Sequence, residues 1–234
     1  MFALISEPAA RAFRDARSSI PVVFLAFDYD PVEKGMIASL RRPGGNMTGV
    51  YVPQAALIAK RLEIAQEVLP GANRFLVLTD VHTKDQLAAL RTAAAARRVQ
   101  LTVVEYAQQP YDFPAGFEAG RREKVDALIL FFSPEFTASR AKLSALFASY
   151  KLPVIVPGVM AANPGILVSY SQNQAKIFRR AAEIGVQILK GTKAAEIPVE
   201  QPLEFDLVVN LKTAKALGVK IPYSVMARAT KVIE

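Results

Sequence analysis

Short apolar runs alternate with amphipathic segments along almost the whole chain. The apolar runs have the length and β-branched content of buried strands, whereas the segments between them repeat apolar residues with helical spacing. This alternation is typical of α/β proteins in which helices cover parallel sheets. The predicted strands are 2–5, 21–27, 46–52, 74–80, 100–106, 126–132, 153–158, 165–171 and 205–211. The predicted helices are 8–19, 31–43, 55–71, 84–98, 116–124, 135–151, 173–191, 212–218 and 222–234.

The sequence RRPGGNMTGV, residues 41–50, is rich in glycine and raises the question of a phosphate-binding loop. Such a loop follows a strand and precedes a helix, so that backbone N–H groups and the helix N-terminus meet the phosphate. Here the glycines follow a predicted helix and precede a predicted strand. We therefore interpret Gly44 and Gly45 as the C-terminal cap of the helix 31–43, with a positive φ angle.

The strand and helix pattern restarts after Pro53, when only three strands have been predicted. More α/β structure follows the middle block. One economical arrangement is two lobes, in which the middle of the chain forms one lobe and the two ends together form the other. The crossover segments would then be 49–53 and 169–173.

Composition narrows the chemistry that the chain can carry out. A hydrophobic content of 52% is ample for a buried core. The absence of cysteine excludes disulfides, a thiolate nucleophile and cysteine-based metal sites, and the single histidine, His82, excludes histidine clusters. We therefore expect no catalytic residues, no metal site and no cofactor.

The formal net charge of +8 would favour anionic partners if the cations were clustered on one face. They are spread instead over the ends of several predicted helices, and no nucleic-acid-binding motif is present, so we expect no nucleic-acid partner. No apolar run approaches the roughly 18–20 residues of a membrane span. The N-terminal residues lack the features of a secretory signal, so the chain as written would stay in the cytoplasm.

Ligands of open parallel sheets bind beyond the carboxyl ends of the strands. In this chain those positions mix carboxylates, hydroxyls and aromatic rings. Such a mixture suits an amino-acid ligand, because its ammonium, its carboxylate and its side chain need different partners. The candidate ligand-binding residues are Ser6, Glu7, Asp28, Tyr29, Asp30, His82, Phe132, Ser133, Gly158, Tyr170 and Asn173.

Several candidates also have a purely structural interpretation. Asp30 precedes a proline and Asn173 begins a predicted helix, so each is a natural helix N-cap. Glu7 is either a partner for a cationic group or a cap for the following helix. Tyr170 is either packing at the crossover or a wall against an aromatic ligand. His82 lies in a loop, either exposed or in contact with ligand.

Two blocks of sequence, PGGNMTGV at 43–50 and LVVNLKTAKALG at 207–218, occur in this order with LVSYSQN at 167–173 between them. Together they resemble the ABC-transporter substrate-binding family related to tryptophan/tyrosine uptake systems. The resemblance implies an α/β fold like that of type I periplasmic binding proteins, with two doubly wound parallel-sheet lobes joined by a hinge. It assigns residues 1–50 and 174–234 to lobe one and residues 51–173 to lobe two.

The resemblance also implies a function. Such a protein captures a small-molecule ligand between its lobes without catalysis and delivers it to an ABC permease. The implied ligand is an aromatic or branched amino acid or a related compound. The implied location is periplasmic or otherwise extracytoplasmic, against the cytoplasmic location suggested by the chain as written.

The chain departs from the family pattern at its start. Family precursors carry a signal and a strand–helix–strand–helix section before the strand that matches MFALIS, residues 1–6. We therefore expect lobe one to lack its N-terminal βα units, through a truncation or a misassigned start, or to be completed by a homodimer.

Two other functions stay open from the sequence. The chain could be a remnant without transport function. It could also be an α/β enzyme that handles nucleotides or sugar phosphates, but that enzyme would need a phosphate loop and a convergent acid/base set. We find neither of these in the sequence.

Overall fold

The computed structural model describes residues 2–4, 6–16, 19–27, 29–158 and 163–234. Contacts among them divide the chain into two compact units. The first unit comprises Met1–Gln54 and Gln172–Glu204, and the second comprises Ala55–Ser171 and Phe205–Glu234. The chain therefore passes from one unit to the other three times.

Strands and helices alternate through both units, which confirms the predicted α/β fold class. In chain order the elements are β1 (Phe2–Leu4), α1 (Glu7–Asp15), β2 (Val22–Ala26), β3 (Met47–Tyr51), α2 (Ile58–Val68), β4 (Arg74–Asp80), α3 (Lys84–Arg97), β5 (Gln100–Tyr106), α4 (Phe113–Arg122), β6 (Ala127–Leu130), α5 (Pro134–Ala138), α6 (Arg140–Tyr150), β7 (Val154–Val156), β8 (Ile166–Gln172), α7 (Gln174–Leu189), β9 (Phe205–Asn210), α8 (Leu211–Leu217), α9 (Tyr223–Met226) and β10 (Lys231–Ile233). None of the helices that the structure describes has the length and apolar content to cross a membrane.

The first unit is built on a three-stranded parallel sheet in the order β1-β2-β3. Helix α7 packs on β2 and β3 and buries Ile177, Ile184 and Ile188. The segment after α7 then runs beside β3, where Val50 and Glu200 form an isolated parallel bridge. The returning part of the chain thus completes the core that the first part begins.

The second unit is built on a seven-stranded sheet in the order β10-β9-β8-β7-β6-β4-β5. The neighbours from β5 to β8 pair in parallel, as do β9 and β10. One apolar cluster includes Phe117 and Phe147, from α4 and α6, a second includes Leu62 and Leu90, from α2 and α3, and a third includes Leu167 and Val209, from β8 and β9. The central strands β6 and β7 are buried along their whole length, as expected for parallel strands covered on both faces.

The segment 31–43 is not the helix that the sequence predicts. It forms successive turns, in which the Met36 N–H donates to the Pro31 carbonyl at 2.9 Å. Gly35 has a φ of +64°, and this left-handed angle interrupts any helix through the segment. Gly44 does have a positive φ, +79°, but it follows a turn and Gly45 has no such angle. The helix-cap interpretation of the two glycines is therefore wrong.

The prediction of a single last helix over 222–234 is also wrong. Helix α9 ends at Met226, and residues 231–233 form β10 beside β9. The pairing starts where the Thr230 N–H donates to the Leu207 carbonyl at 2.8 Å. The run Lys-Val-Ile ends in two β-branched residues, which fit a pleated, half-buried surface better than a helix turn. The predicted helix 135–151 exists as two helices, α5 and α6, divided at Ser139.

The two ends of the chain do not share one unit. Strands β9 and β10 join the sheet of the second unit, so Phe205–Glu234 belongs there. The family resemblance and the simplest arrangement, which has a single return crossover, both placed this segment in lobe one. The part that returns to the first unit is Gln172–Glu204.

We expect Gly49→Ala to destabilise the first unit. An alanine Cβ at this position would lie 2.0 Å from the Phe24 carbonyl oxygen and 2.7 Å from the Phe24 nitrogen, so β2 and β3 would have to separate. The loss should be at least about 1–3 kcal/mol, measured by urea unfolding.

Gly45→Ala is the control for Gly49→Ala, because a Cβ there would meet nothing within 4 Å. This variant should stay within about 0.5 kcal/mol of the parent chain. Equal losses in the two variants would show that close strand approach is not what requires glycine at position 49.

Candidate functional site

The carboxyl ends of five strands come together at one edge of the second unit's sheet. Strands β5, β4, β6, β7 and β8 are parallel neighbours, so the residues that follow them lie side by side. Asp80 ends β4 and is the register partner of Tyr106, which ends β5. Five predicted residues also fall at this edge, namely His82 after β4, Phe132 and Ser133 after β6, Gly158 after β7, and Tyr170 near the end of β8.

A buried carboxylate, Asp80, connects the loops at this edge. Its side chain is only 1% exposed. The Ser133 hydroxyl donates to Asp80 Oδ2 at 2.5 Å, and the His82 backbone N–H donates to Asp80 Oδ1 at 3.0 Å. The negative charge of Asp80 also acts on the Tyr111 hydroxyl, in the loop after β5. One carboxylate therefore links the loops that follow β4 and β6 by hydrogen bonds.

Two threonines support the loop around Asp80. The Thr83 hydroxyl accepts a hydrogen bond from the Asp80 backbone N–H at 2.8 Å and lies 2.8 Å from the Thr79 hydroxyl. Both threonine side chains are buried. This hydroxyl pair holds the start of α3 against the end of β4, and it needs no water or ligand to satisfy its polar groups.

Ser133 has a structural role at this edge, although the sequence marks it as a ligand contact. Its side chain is fully buried, and its hydroxyl accepts a hydrogen bond from the Glu135 backbone N–H at 3.2 Å. The same hydroxyl donates to Asp80. Ser133 therefore caps α5 and ties that helix to the end of β4.

Several side chains at the same strand ends keep some exposure, and we call them the accessible layer. Its members are His82, Tyr111, Phe132, Glu135 and Tyr170. The layer is thus rich in aromatic rings and includes a carboxylate and an imidazole. These groups can pack against an aromatic ligand and attract a cation.

Four aromatic rings pack beside the Asp80 carboxylate. Tyr106 and Tyr111 stack with their ring centroids 4.9 Å apart. Phe113 and Phe136 meet these two rings edge-on at 5.4 to 6.4 Å. The Tyr106 hydroxyl donates to the Asp112 carbonyl at 3.3 Å. The loop after β5 is therefore held by ring packing, with the Tyr111 hydroxyl end at the polar base.

The electrostatics of this cluster follow from burial and negative charge. Burial, followed by the charges of Asp80 and Glu135, raises the pKa of Tyr111. Burial and the charge of Asp112 raise the pKa of Tyr106. Both phenols consequently stay protonated and can donate hydrogen bonds at neutral pH.

Tyr170 lies at the far side of the same edge. Its ring stacks on the ring of Phe205, the first residue of β9, with centroids 5.6 Å apart and an angle of 18°. The fully buried Arg61 donates from Nε to the Tyr170 carbonyl at 2.9 Å, and desolvation lowers the pKa of Arg61 to about 9. Gly158 lies nearby, since a Cβ on it would meet the Ser171 hydroxyl at 2.2 Å.

The predicted residues of the first unit have mostly structural partners. Asp30 Oδ1 accepts from the Val32 N–H at 2.8 Å, and Asn173 Oδ1 accepts from the Lys176 N–H at 2.9 Å, so both act as caps. Tyr29 is part of the apolar core, and Glu7 forms an ion pair with Arg11. Ser6 is exposed before α1 and makes no capping hydrogen bond. Asp28, also predicted from the sequence, lies outside the described residues.

Three residues that organise the edge are absent from the candidate ligand-binding residues: Asp80, Gln86 and Tyr111. Asp80 lies at a strand end, and Tyr111 lies in the aromatic segment PYDF, so both carried a signal that could have been used. Gln86 had no signal, because a glutamine in a first helical turn is usually solvated. Among the described residues no group of three or more His, Cys, Asp or Glu side chains could hold a metal ion.

Comparison with known proteins identifies relatives over nearly the whole chain. The family described as "ABC transporter substrate binding protein" matches residues 1–233. The "Tyrosine-binding protein" of Clostridioides difficile (strain R20291) is 27% identical over 219 residues, which are 92% of this chain and 62% of the relative. The chain thus spans less than two thirds of that relative's length.

Solved structures of similar proteins share the fold. A conserved domain protein from Vibrio cholerae has a TM-score of 0.85 and 25% identity, covering 99% of this chain and 78% of its own. An ABC domain from Streptococcus pneumonia, solved in complex with L-Trp, has a TM-score of 0.81 and 26% identity, covering 99% of this chain and 80% of its own.

We expect Ser133→Ala to destabilise the second unit by about 1–3 kcal/mol, because Asp80 Oδ2 then loses a buried donor. Urea unfolding measures the change. Ser139→Ala is the matched control, since the Ser139 side chain makes no capping hydrogen bond, and it should change stability by less than about 0.5 kcal/mol. If Ser133→Ala were as mild as the control, the buried pair would not stabilise this edge.

We also expect Asp80→Asn to lower the pKa of Tyr111. The substitution removes a negative charge that disfavours the phenolate, while the burial of the ring is kept. A pH titration of carbon-13-labelled tyrosines by NMR measures the change. Tyr150 is the control, because its raised pKa has a different first cause, a hydrogen bond with Glu118, and should not move. An unchanged Tyr111 pKa would show that Asp80 has no electrostatic effect on it.

Proposed function

Because this chain belongs to the ABC transporter substrate binding protein family, we propose that it captures a small solute without chemical change and delivers it to an ABC permease. The protein would act outside the cytoplasm, as the family does. The observation that carries the proposal is the accessible layer of the second unit, in which aromatic rings and a carboxylate share the strand-end edge with the buried, hydrogen-bonded Asp80.

The proposed ligand is an aromatic amino acid. The faces of Tyr111 and Phe132 suit a flat ring, since offset and edge-on ring contacts add to the free energy of burial. Glu135 suits the ammonium group, because its charge already acts on the Tyr111 hydroxyl at the same place. The names of two relatives, one a tyrosine-binding protein and one solved with L-Trp, support the same ligand class.

Some of the predicted residues are proposed to contact the ligand, and others hold those residues in place. His82, Phe132 and Tyr170 are proposed contacts, and Gly158 leaves space beside them. Ser133 supports them indirectly, through the hydrogen bond from its hydroxyl to Asp80.

In the first unit, Ser6 is a proposed contact and Asp28 stays a prediction. Glu7, Tyr29, Asp30 and Asn173 have partners in their own unit that already account for their positions.

The homodimer suggested by the sequence also stays a prediction. It would place a second copy beside the three-stranded sheet of the first unit. Light scattering at several protein concentrations tests it, and a single mass equal to one chain would contradict it. The capture of ligand in the second unit does not depend on this result.

We expect tyrosine, tryptophan and phenylalanine to raise the unfolding temperature, whereas indole and p-cresol, which lack the ammonium and carboxylate groups, should not. A ligand at 100 times its Kd stabilises the folded chain by about 2.7 kcal/mol. Thermal unfolding screens the panel, and calorimetric titration then gives the Kd. Leucine, isoleucine and valine are included to separate aromatic from branched ligands.

A pair of phenylalanine variants locates the binding. Phe132→Ala should weaken binding, whereas Phe178→Ala should not, because Phe178 is a half-exposed ring on α7 of the first unit. If no amino acid binds to a chain with an intact fold, or if the chain hydrolyses a nucleotide or an ester, the proposed function is wrong.

A further inference from the structure

A buried glutamine, Gln86, makes two hydrogen bonds to the backbone of one residue. It lies in the first turn of α3, and its side chain is only 4% exposed. Gln86 Nε2 donates to the Phe132 carbonyl at 2.7 Å, and the Phe132 N–H donates to Gln86 Oε1 at 3.0 Å. We call this pair of hydrogen bonds the Gln86 contact. It satisfies both main-chain groups of Phe132 with one side chain.

The Gln86 contact follows directly after the point where β6 stops pairing with β4. The β4–β6 pairing ends at the partners Leu78 and Leu130, whereas β4 continues beside β5 as far as Asp80. The backbone of β6 therefore leaves its neighbour two residues before Phe132. A primary amide presents an N–H donor and its carbonyl oxygen on the same side, so Gln86 can pair with the N–H and C=O of one residue in place of a neighbouring strand.

The next residue is held from the same side. Ser133 donates to Asp80, and Asp80 and Gln86 both belong to the chain segment that passes from β4 into α3. Two consecutive residues after β6 are thus hydrogen-bonded by one neighbouring segment. Their backbone conformation is set by buried contacts within the second unit, while the Phe132 ring keeps partial exposure in the accessible layer.

We propose that Gln86 is a positioning residue of the ligand site, which holds the Phe132 ring ready for an aromatic ligand. This inference rests on the proposed function of the accessible layer. The Gln86 side chain is buried, and it acts on Phe132 only through the hydrogen bonds to the Phe132 backbone. A backbone that is already ordered loses less conformational entropy when the ligand binds, so the Gln86 contact raises affinity.

The test compares Gln86→Met with Gln86→Glu. Methionine has nearly the same volume but cannot replace either hydrogen bond, and glutamate keeps the acceptor for the Phe132 N–H but loses the donor to its carbonyl. For the tightest-binding amino acid of the panel we expect Gln86→Met to raise Kd about tenfold, which corresponds to about 1.4 kcal/mol. Gln86→Glu should also raise Kd, because a buried carboxylate oxygen would then face the Phe132 carbonyl oxygen. Hydrogen exchange of the Phe132 amide should be faster in Gln86→Met than in the parent chain.

Val68→Ala controls for a general loss of stability. Val68 is buried at the end of α2, beside Ala72 and Asp126 at the opposite, amino ends of β4 and β6, so its truncation destabilises the second unit without touching Phe132. At a temperature where every variant is folded, Val68→Ala should keep the parent Kd. If Val68→Ala weakened binding as much as Gln86→Met, the effect would be one of stability, and the positioning role would be refuted.

The outcomes separate this inference from the proposed function. If the parent chain binds no amino acid, the proposed function fails and the positioning role fails with it. If the parent chain binds and Gln86→Met binds equally well, despite faster exchange at Phe132, only the positioning role is overturned. Unchanged exchange at Phe132 would also overturn it, because the Gln86 contact would then not hold that backbone.

Discussion

The strand-end edge of the second unit depends on the hydrogen bonds that the buried Asp80 carboxylate accepts. A carboxylate buried to 1% exposure is costly unless its oxygens accept hydrogen bonds, and here the donors come from the loops after β4 and β6. The conformations of these loops are therefore coupled, since loss of one donor leaves the same buried oxygens less satisfied. The Gln86 contact extends this base to the residue before Ser133. The residues of the accessible layer are thus held by hydrogen bonds within the protein that form without a ligand.

Most of the fold could be predicted because local pattern and burial agree. The continuous apolar runs at β4, β6 and β7 are buried on both faces, and this is the one arrangement that makes such runs stable. Prediction failed where a local pattern was ambiguous. The segment 31–43 has helical spacing, but Gly35 adopts a left-handed angle within it. Residues 231–233 became a strand because the edge of β9 was available, and that depends on contacts with residues more than twenty positions earlier.

The site could be predicted only in outline. Strand ends can be predicted from the sequence, and they place His82, Phe132 and Tyr170 at the same edge as Asp80. The roles of individual polar residues cannot be read in this way, because they depend on partners distant in the chain. Ser133 and Asp80 are 53 residues apart, and Gln86 and Phe132 are 46 residues apart. Sequence spacing gives no information about such pairs, so Ser133 was predicted as a ligand contact although its hydroxyl is used inside the protein.

The three passages between the units have a consequence for biosynthesis. Strand β9 enters the sheet of the second unit, yet it is made only after Gln172–Glu204, which belongs to the first unit. During synthesis the five strands from β4 to β8 emerge one after another. The edge of β8 that pairs with β9 then stays unpaired until β9 is made, and α7, which belongs to the first unit, is made in between. Domains usually fold one after another as they are synthesised. In this chain the two units have interleaved segments, so each exposes apolar surface until the other has been partly made.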